Sequence, residues 1–219
     1  MVCNVALRAL ALTSLLFLGA CAFGDRQVEL VYVPTAGGAL PVGKTYEVTV
    51  TDFTDSRTNT AYVGKVLNGY GMHTADVLAT NSVALWITDA IRLELERAGF
   101  TVVPVDEASP DAFDISGEVA NVSGDAYFHY KANVAFNATV MRAGEPVLDG
   151  RYANRSTGDM NMFASGAGYN EALQESLARV ITQFIGELAV AAAEATDAPE
   201  ISSRGDDRDD RLLPIDAGA

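Results

Sequence analysis

The sequence contains few residues of the types that usually carry metal or nucleophilic chemistry. Its two cysteines are Cys3 and Cys21, and its two histidines are His73 and His129. A zinc site needs three or four nitrogen, oxygen or sulfur ligands, which commonly lie in closely spaced motifs. Neither histidine belongs to such a motif, and no serine lies in a nucleophile elbow. The sequence therefore predicts no metal, no cofactor and no catalytic residue, and we expect a protein that is not an enzyme.

Cys21 stands out because of the residues that precede it. Residues 1–8 carry one positive charge, on Arg8, and residues 9–18 form an apolar run, ALALTSLLFL. The tetrapeptide Leu18-Gly19-Ala20-Cys21 follows. A short charged start, an apolar run and small residues before a cleavage point are typical of a signal peptide, and the run is too short to span a membrane.

The tetrapeptide resembles the bacterial lipobox. This resemblance implies cleavage of the leader between Ala20 and Cys21, attachment of a diacylglyceryl group to the Cys21 thiol, and acylation of the new N-terminus by a fatty acid such as palmitate. Each buried CH₂ of an acyl chain contributes about 0.8 kcal/mol, so several chains give stable anchoring where one does not. The sequence thus favours a membrane contact through acyl chains on Cys21, with an ordinary cleaved signal peptide as the alternative.

The residue after Cys21 bears on which membrane holds the anchor. In the best-studied lipoprotein sorting system, an aspartate directly after the lipidated cysteine retains the protein in the inner membrane. Residue 22 is alanine here. The resemblance therefore implies an outer-membrane lipoprotein that faces the periplasm, with the inner membrane as the alternative.

The net charge of the chain limits the classes of partner that it can bind. The formal net charge is −14, and 49% of the residues are hydrophobic. An excess of carboxylates disfavours direct binding to nucleic acid or to anionic lipid, since both require lysine and arginine. The hydrophobic fraction and the length suit one globular domain with flexible ends. We expect an envelope protein as the partner, and no nucleic acid.

Composition and periodicity divide the chain into four parts. Residues 197–219 include RGDDRDDR and have no apolar period, which is typical of a disordered acidic tail. The predicted parts are a lipoprotein signal peptide at 1–20, a lipidated N-terminus and tether at 21–43, an α+β domain at 44–196, and the tail at 197–219.

Spacing of apolar residues predicts the elements of that domain. Ala84, Ile87, Ile91 and Leu95 share one face of a helix that Ser82 caps and Gly99 ends, with Thr88 on the opposite side. The other predicted elements are strands at 45–53, 101–105, 113–122, 126–141 and 147–155, a tight turn at 124–125, and a helix at 170–193. Because the strands alternate and follow hairpin turns, we expect an α+β fold with a mainly antiparallel twisted sheet and two helices packed on one face.

Residues 55–81 are rich in glycine and asparagine and are predicted to form a long loop. The Asp55-Ser56-Arg57 tripeptide can close a turn through a local ion pair, which is the simpler interpretation. The alternative is a recognition edge, with Asp55, Arg57, Tyr62 and Tyr70 as candidate partner-binding residues.

The order of these features resembles the YajG-type family of bacterial lipoproteins. The residues that carry the resemblance are 50–57 (VTDFTDSR), Val63-Gly64, 85–103 and the long strand from Tyr127. The resemblance covers about residues 45–195 and implies a lipoprotein with no catalytic residues to carry over.

Two classes of function follow. The first is a non-catalytic, lipid-anchored binding or assembly module of the bacterial cell envelope. The alternative is an envelope enzyme that acts on glycan or lipid through an unrecognised site. Trp86, Tyr127, Phe128 and Tyr130 are interpreted as core or sheet packing rather than as a sugar-binding platform.

Overall fold

The computed structural model describes residues 24–34, 45–160 and 164–197 of the chain. Cys21, the predicted cleavage point beside Ala20 and the tail beyond Asp197 lie outside these residues. The described part is an α+β fold with helices α1 (Val83–Ala98) and α2 (Gly166–Asp197). Its strands are β1 (Arg26–Val28), β2 (Glu47–Val50), β3 (Thr54–Asp55), β4 (Tyr62–Leu67), β5 (His73–Ala79), β6 (Thr101–Val102), β7 (Phe113–Ala126), β8 (His129–Arg142) and β9 (Glu145–Met160).

Strand β7 is the centre of the sheet. Along one side it pairs with β8 over nearly its whole length, and β9 pairs with the far side of β8. Along its other side it pairs in succession with three short strands, β2, β3 and β4. Strand β6 extends the sheet beyond β2, and β5 followed by β1 extends it beyond β4. The start of β7 and its end are therefore bordered by different parts of the chain.

The predicted α+β fold is confirmed, but the sheet is mixed and not antiparallel throughout. The three long pairings β4–β5, β7–β8 and β8–β9 are antiparallel, whereas β1–β5, β2–β6, β2–β7, β3–β7 and β4–β7 are parallel. Parallel partners need long connections, and the segment that includes α1 supplies one between β2 and β6. Period-two alternation identifies a strand but does not indicate the direction of its neighbour, so the sequence could not distinguish the two arrangements.

The loop predicted at 55–81 is wrong as well, since most of it forms the hairpin β4–β5. The prediction fails partly because of Gly64. A glycine is typical of a loop, but Gly64 lies within β4, opposite Gly124 of β7. A Cβ atom on Gly64 would come within 2.0 Å of the Gly124 carbonyl oxygen. Glycine is needed here so that two strand backbones can approach each other, not so that the chain can turn.

Gly124 and Asp125 likewise lie inside β7 and do not form the predicted turn. The chain turns at residues 127 and 128 instead, directly between β7 and β8. This shift places Phe128 in the turn, where 59% of its surface is exposed, so its assignment to the packed face is wrong. A further turn follows β8, where Ala143 and Gly144 both have positive φ.

Helix α1 matches its prediction closely. The Ser82 hydroxyl accepts a hydrogen bond from the Leu85 N–H at 3.3 Å, and Gly99 ends the helix in the left-handed conformation with φ 99°. Ile87, Ile91 and Leu95 are fully buried. Thr88 is also buried, contrary to its predicted exposed position, because its hydroxyl donates to the Ala84 carbonyl and accepts from the Phe53 N–H.

Helix α2 covers the same face of the sheet as α1. The two helices contact each other and both contact β7, and one hydrophobic core joins their buried residues. Phe184 packs edge-on against Phe136 of β8 and Tyr152 of β9. By length and apolar composition, α2 could also cross a membrane. Its burial against β1, β7, β8 and β9 identifies it as the core helix of this domain.

The domain begins earlier than the predicted boundary at residue 44. Strand β1 adds to the edge of β5, and Val28 and Leu30 are each only 3% exposed. The Asn81 side chain accepts from the Leu30 N–H and donates to the Leu30 carbonyl, both at 2.9 Å. Further along, Gln174 forms the same paired contact with Val33. Part of the predicted tether is thus a docked segment of the fold.

Candidate binding surface

One face of the sheet formed by β7, β8 and β9 lies away from both helices. We call it the polar face, because aligned polar side chains cross it in rows perpendicular to the strands. The register gives the rows Ser116–Thr139–Asp149, Glu118–Asn137–Arg151, Asn121–Ala135–Ala153, Ser123–Asn133–Arg155 and Asp125–Lys131–Thr157. Apart from Ala135, all of these residues are exposed or half-buried.

Hydrogen bonds between neighbouring strands hold several of these side chains in place. Asn137 Nδ2 donates to Glu118 Oε1 at 2.7 Å, and Thr139 Oγ1 donates to Asp149 Oδ1 at 2.9 Å. These side chains line an open groove of about 600 Å³, together with Arg151 on the outermost strand. Side chains fixed before a partner arrives lose less conformational entropy when it binds.

The charge of the polar face differs from that of the whole chain. It contains the carboxylates of Glu118, Asp125 and Asp149 in the rows above, and it also contains Lys131, Arg151 and Arg155. The chain as a whole has 29 acidic and 15 basic residues. Within these rows the carboxylates and the cations are equal in number, so the rows can form charge-assisted hydrogen bonds with both donors and acceptors of a polar partner.

The Asp55–Arg57 pair predicted as a turn or a recognition edge is an internal support. Arg57 Nε and Nη2 donate to the two Asp55 carboxylate oxygens at 2.8 and 2.7 Å, and the side chains are only 8% and 13% exposed. Arg57 also donates to the carbonyls of Thr60, Tyr62 and Val122. The guanidinium therefore joins the segment after β3 to β4 and β7, and its contacts favour a structural role.

The other two candidates, Tyr62 and Tyr70, lie at opposite ends of β4. Tyr62 is partly buried, and desolvation raises the pKa of its hydroxyl, with a further contribution from the nearby charges of Asp125 and Asp76. Tyr70 lies in the turn between β4 and β5 and is 89% exposed. The structure separates the four predicted residues into an internal pair, a partly buried tyrosine and an exposed tyrosine.

The turn that holds Tyr70 lies beside the turn between β7 and β8. Because β4 and β7 are parallel neighbours, both strands end at the same edge of the sheet. The Tyr127 hydroxyl donates to the Gly69 carbonyl at 2.9 Å and ties the two turns together. We call residues 68–72 and 127–128 the turn pair. Its exposed side chains include Tyr70, Met72 and Phe128, at 89%, 58% and 59% exposure.

Two tyrosines outside this surface, Tyr152 and Tyr169, are buried and serve packing. Burial raises the pKa of the Tyr152 hydroxyl, which also donates to Glu187 Oε2 at 3.0 Å. Burial likewise raises the pKa of Tyr169, whose hydroxyl donates to the Lys65 carbonyl. Within residues 24–34, 45–160 and 164–197, no three histidine, cysteine or carboxylate side chains gather as metal ligands.

Sequence reasoning found the polar side of β8 but missed the surface to which it belongs. Alternation along the strand predicts Lys131, Asn133 and Asn137 on a solvated face, which the structure confirms. Their partners Glu118 and Arg151 were not singled out, because only the strand register aligns them. The alternation of Asp149, Arg151 and Arg155 along β9 was the available signal.

Comparison with known proteins gives a family and a fold. The model of a family described as uncharacterized lipoprotein matches residues 39–193. Protein XCC0632 from Xanthomonas campestris is similar in structure, with TM-score 0.55, 13% identity and coverage of 78% of this chain and 98% of that one. A second structure, titled as an uncharacterized protein, has TM-score 0.52, 7% identity and coverage of 75% and 99%. No curated protein matches the sequence.

A third solved structure is named a lipoprotein. Lipoprotein GNA1162 from Neisseria meningitidis has TM-score 0.31 and 12% identity, with coverage of 66% of this chain and 99% of that one. That similarity is too low to support an argument about this chain. At the identities of the first two structures, their similarity concerns the fold alone.

Proposed function

Since the chain belongs to the YajG-type family of uncharacterized lipoproteins, we propose that it is anchored through acyl chains on Cys21 and acts as a non-catalytic binding or assembly module. The polar face of β7, β8 and β9 binds an envelope protein. The location that fits this proposal is the outer membrane, with the domain facing the periplasm.

The observation that carries the binding proposal is the set of aligned polar rows on a face that neither helix covers. Its hydrogen-bonded side chains and its balanced charge suit a polar protein surface better than an apolar ligand. The groove along these rows is open and shallow, which fits contact with a macromolecule across several strands.

The anchor is tested by Cys21→Ala in the full-length chain. Metabolic acyl labelling and membrane fractionation should show the parent labelled and in the membrane fraction. The variant should be unlabelled and found in the soluble fraction. A parent that takes no label and a variant that stays with the membrane would both contradict the anchor.

Binding by the polar face is tested by reversing the charge of its two arginines on β9. Arg151→Glu with Arg155→Glu should abolish co-purification of the partner from solubilised membranes, because both arginines are exposed on that face. Arg179→Glu is the control, since Arg179 is an exposed arginine on α2 that pairs with Glu175. Equal loss in both variants would show that charge, and not the polar face, determines binding.

A further inference from the structure

The direction of β1 indicates where the N-terminal anchor leaves the fold. Strand β1 runs parallel to β5, with Arg26 opposite Val77. Just before β1, Asp25 Oδ1 accepts a hydrogen bond from the Asp76 N–H at 3.2 Å. Since β5 begins at His73, directly after the turn with Tyr70, the start of β1 points toward the turn pair.

The distance available to the anchor is short. Cys21 precedes Asp25 by four residues, and an extended chain spans at most about 3.3–3.6 Å per residue. The four residues from Asp25 back to Cys21 can therefore span at most about 14 Å. The rise along β5 from Asp76 back to residue 72 is nearly the same, about 13 Å. Acyl chains on Cys21 would thus hold this edge of the sheet within reach of the bilayer surface.

The turn pair has the composition expected of a surface that touches lipid headgroups. Residues 68–72 and 127–128 contain two tyrosines, a methionine and a phenylalanine but no charged side chain. Tyr70, Met72 and Phe128 are more than half exposed. Aromatic side chains are favoured at membrane interfaces because their rings prefer the headgroup region and their hydroxyls stay hydrated.

The backbone of the first turn is already hydrogen-bonded. The Asn68 side-chain oxygen accepts from the N–H groups of Tyr70 and Met72, both at 3.0 Å. The Gly71 N–H donates to the Asn68 carbonyl, and the Asn68 N–H donates to the Met72 carbonyl. Backbone N–H and C=O groups that are already paired within the turn do not lose hydrogen bonds when water is removed. This pairing lowers the free-energy cost of placing the turn in the membrane interface.

From these observations we infer that the turn pair is a membrane-contact site that rests on the phospholipid surface beside the acylated Cys21. The inference depends on the proposed anchor. Contact is through aromatic and apolar side chains rather than through basic residues, in keeping with the acidic chain. In this orientation the turn pair faces the bilayer, and the opposite end of β4 and β7 points away from the bilayer.

Site-specific labelling tests this placement in the acylated full chain. The processed chain has no free thiol, because Cys3 lies in the leader and Cys21 carries the lipid. Single cysteines at Tyr70 and Phe128 report on the turn pair. Single cysteines at Val105 and Val190 are controls, since these residues are 63% and 59% exposed. Val105 follows β6, which lies on the far side of β2 from the start of β7, and Val190 lies in the last third of α2.

Each variant carries an environment-sensitive fluorophore and is reconstituted into phosphatidylcholine vesicles that contain nitroxide-labelled lipid. Probes at Tyr70 and Phe128 should show blue-shifted emission and several-fold stronger quenching by the lipid than probes at Val105 and Val190. Mass spectrometry of Cys21 and vesicle flotation are recorded on the same samples.

The outcomes separate the two proposals. An acylated, floating protein with equal quenching at all four positions overturns the membrane-contact site and leaves the anchor standing. If the turn-pair probes are then shielded from solvent only in intact cells, a protein and not lipid covers them. That result also overturns the membrane-contact site. A chain without acyl mass that does not float overturns the anchor, and the membrane-contact site falls with it.

Discussion

The two faces of the sheet formed by β7, β8 and β9 are built from alternate residues of the same strands, yet they differ in composition and burial. On the covered face, Val134 and Phe136 are fully buried under α2. On the polar face, their neighbours Asn133 and Asn137 are half-buried. The Asn137 side chain donates to Glu118, and the Asn133 backbone carbonyl accepts from the Asn121 side chain. The covered face stabilises the domain, whereas the polar face is available for the binding that we propose.

The largest expected difference between the two faces comes from placing the same charge on each of them at adjacent positions. Val134→Asp buries an unpaired carboxylate and should cost more than about 4 kcal/mol in unfolding free energy, enough to unfold the domain. Asn133→Asp places the same carboxylate on the polar face and should change stability by about 0.5 kcal/mol or less. Urea denaturation of both variants checks the difference. Similar losses would show that the polar face is packed too.

A second comparison concerns two arginine ion pairs. Arg57→Leu leaves the largely buried Asp55 carboxylate without its cation and removes a donor from three carbonyls, so we expect a loss of about 3–5 kcal/mol in unfolding free energy. Arg179→Leu removes a partner of Glu175 on the surface of α2, where the expected loss is about 0–1 kcal/mol. Thermal or chemical denaturation distinguishes them. A small loss for Arg57→Leu would return this residue to the candidates for partner recognition.

A third comparison tests the hairpin β4–β5 through two glycines. Gly64→Ala would bring a Cβ atom against the Gly124 backbone, so we expect a cost of about 1–3 kcal/mol or more from the forced strand separation. Gly69→Ala in the following turn meets no atom within 4 Å and should be nearly neutral. Urea denaturation measures both. An unaffected Gly64→Ala would show that β4 does not lie against β7.

The smallest expected effect is at alkaline pH. Burial raises the pKa of Tyr152 and Tyr169, so the folded protein keeps protons that the unfolded chain loses near the ordinary tyrosine pKa of about 10. The stabilisation is therefore complete below pH 10 and is lost as pH rises above it. Tyr169→Phe should make this decline in unfolding free energy shallower, and Tyr70→Phe should leave the profile as in the parent. A decline that Tyr169→Phe leaves unchanged would contradict the role of that hydroxyl.

The sequence predicted what depends on local spacing. The caps of α1 at Ser82 and Gly99 follow from residue type and position, and the buried side of β8 follows from alternation. The sequence also identified the family through features near Arg57 and along the long strand from Tyr127.

The features that the sequence could not predict depend on contacts between distant residues. Gly64 resembles a loop glycine until its partner Gly124 is known, and the parallel strand pairs have no local signal. The rows of the polar face require the register of three strands, so Glu118 and Arg151 could not be placed together beforehand. The same holds for the turn pair, which joins residues about 60 positions apart.

The central claim is that the polar face, and not the helical side, binds the envelope partner. In-cell photo-crosslinking from the exposed Ala153 on that face and from the exposed Gln183 on α2 tests it directly. We expect a defined crosslinked protein from Ala153 that disappears with Arg151→Glu and Arg155→Glu, and no crosslinked protein from Gln183. Crosslinking from Gln183 alone would contradict this claim. Crosslinking from both positions that persists after the charge reversal would contradict it as well.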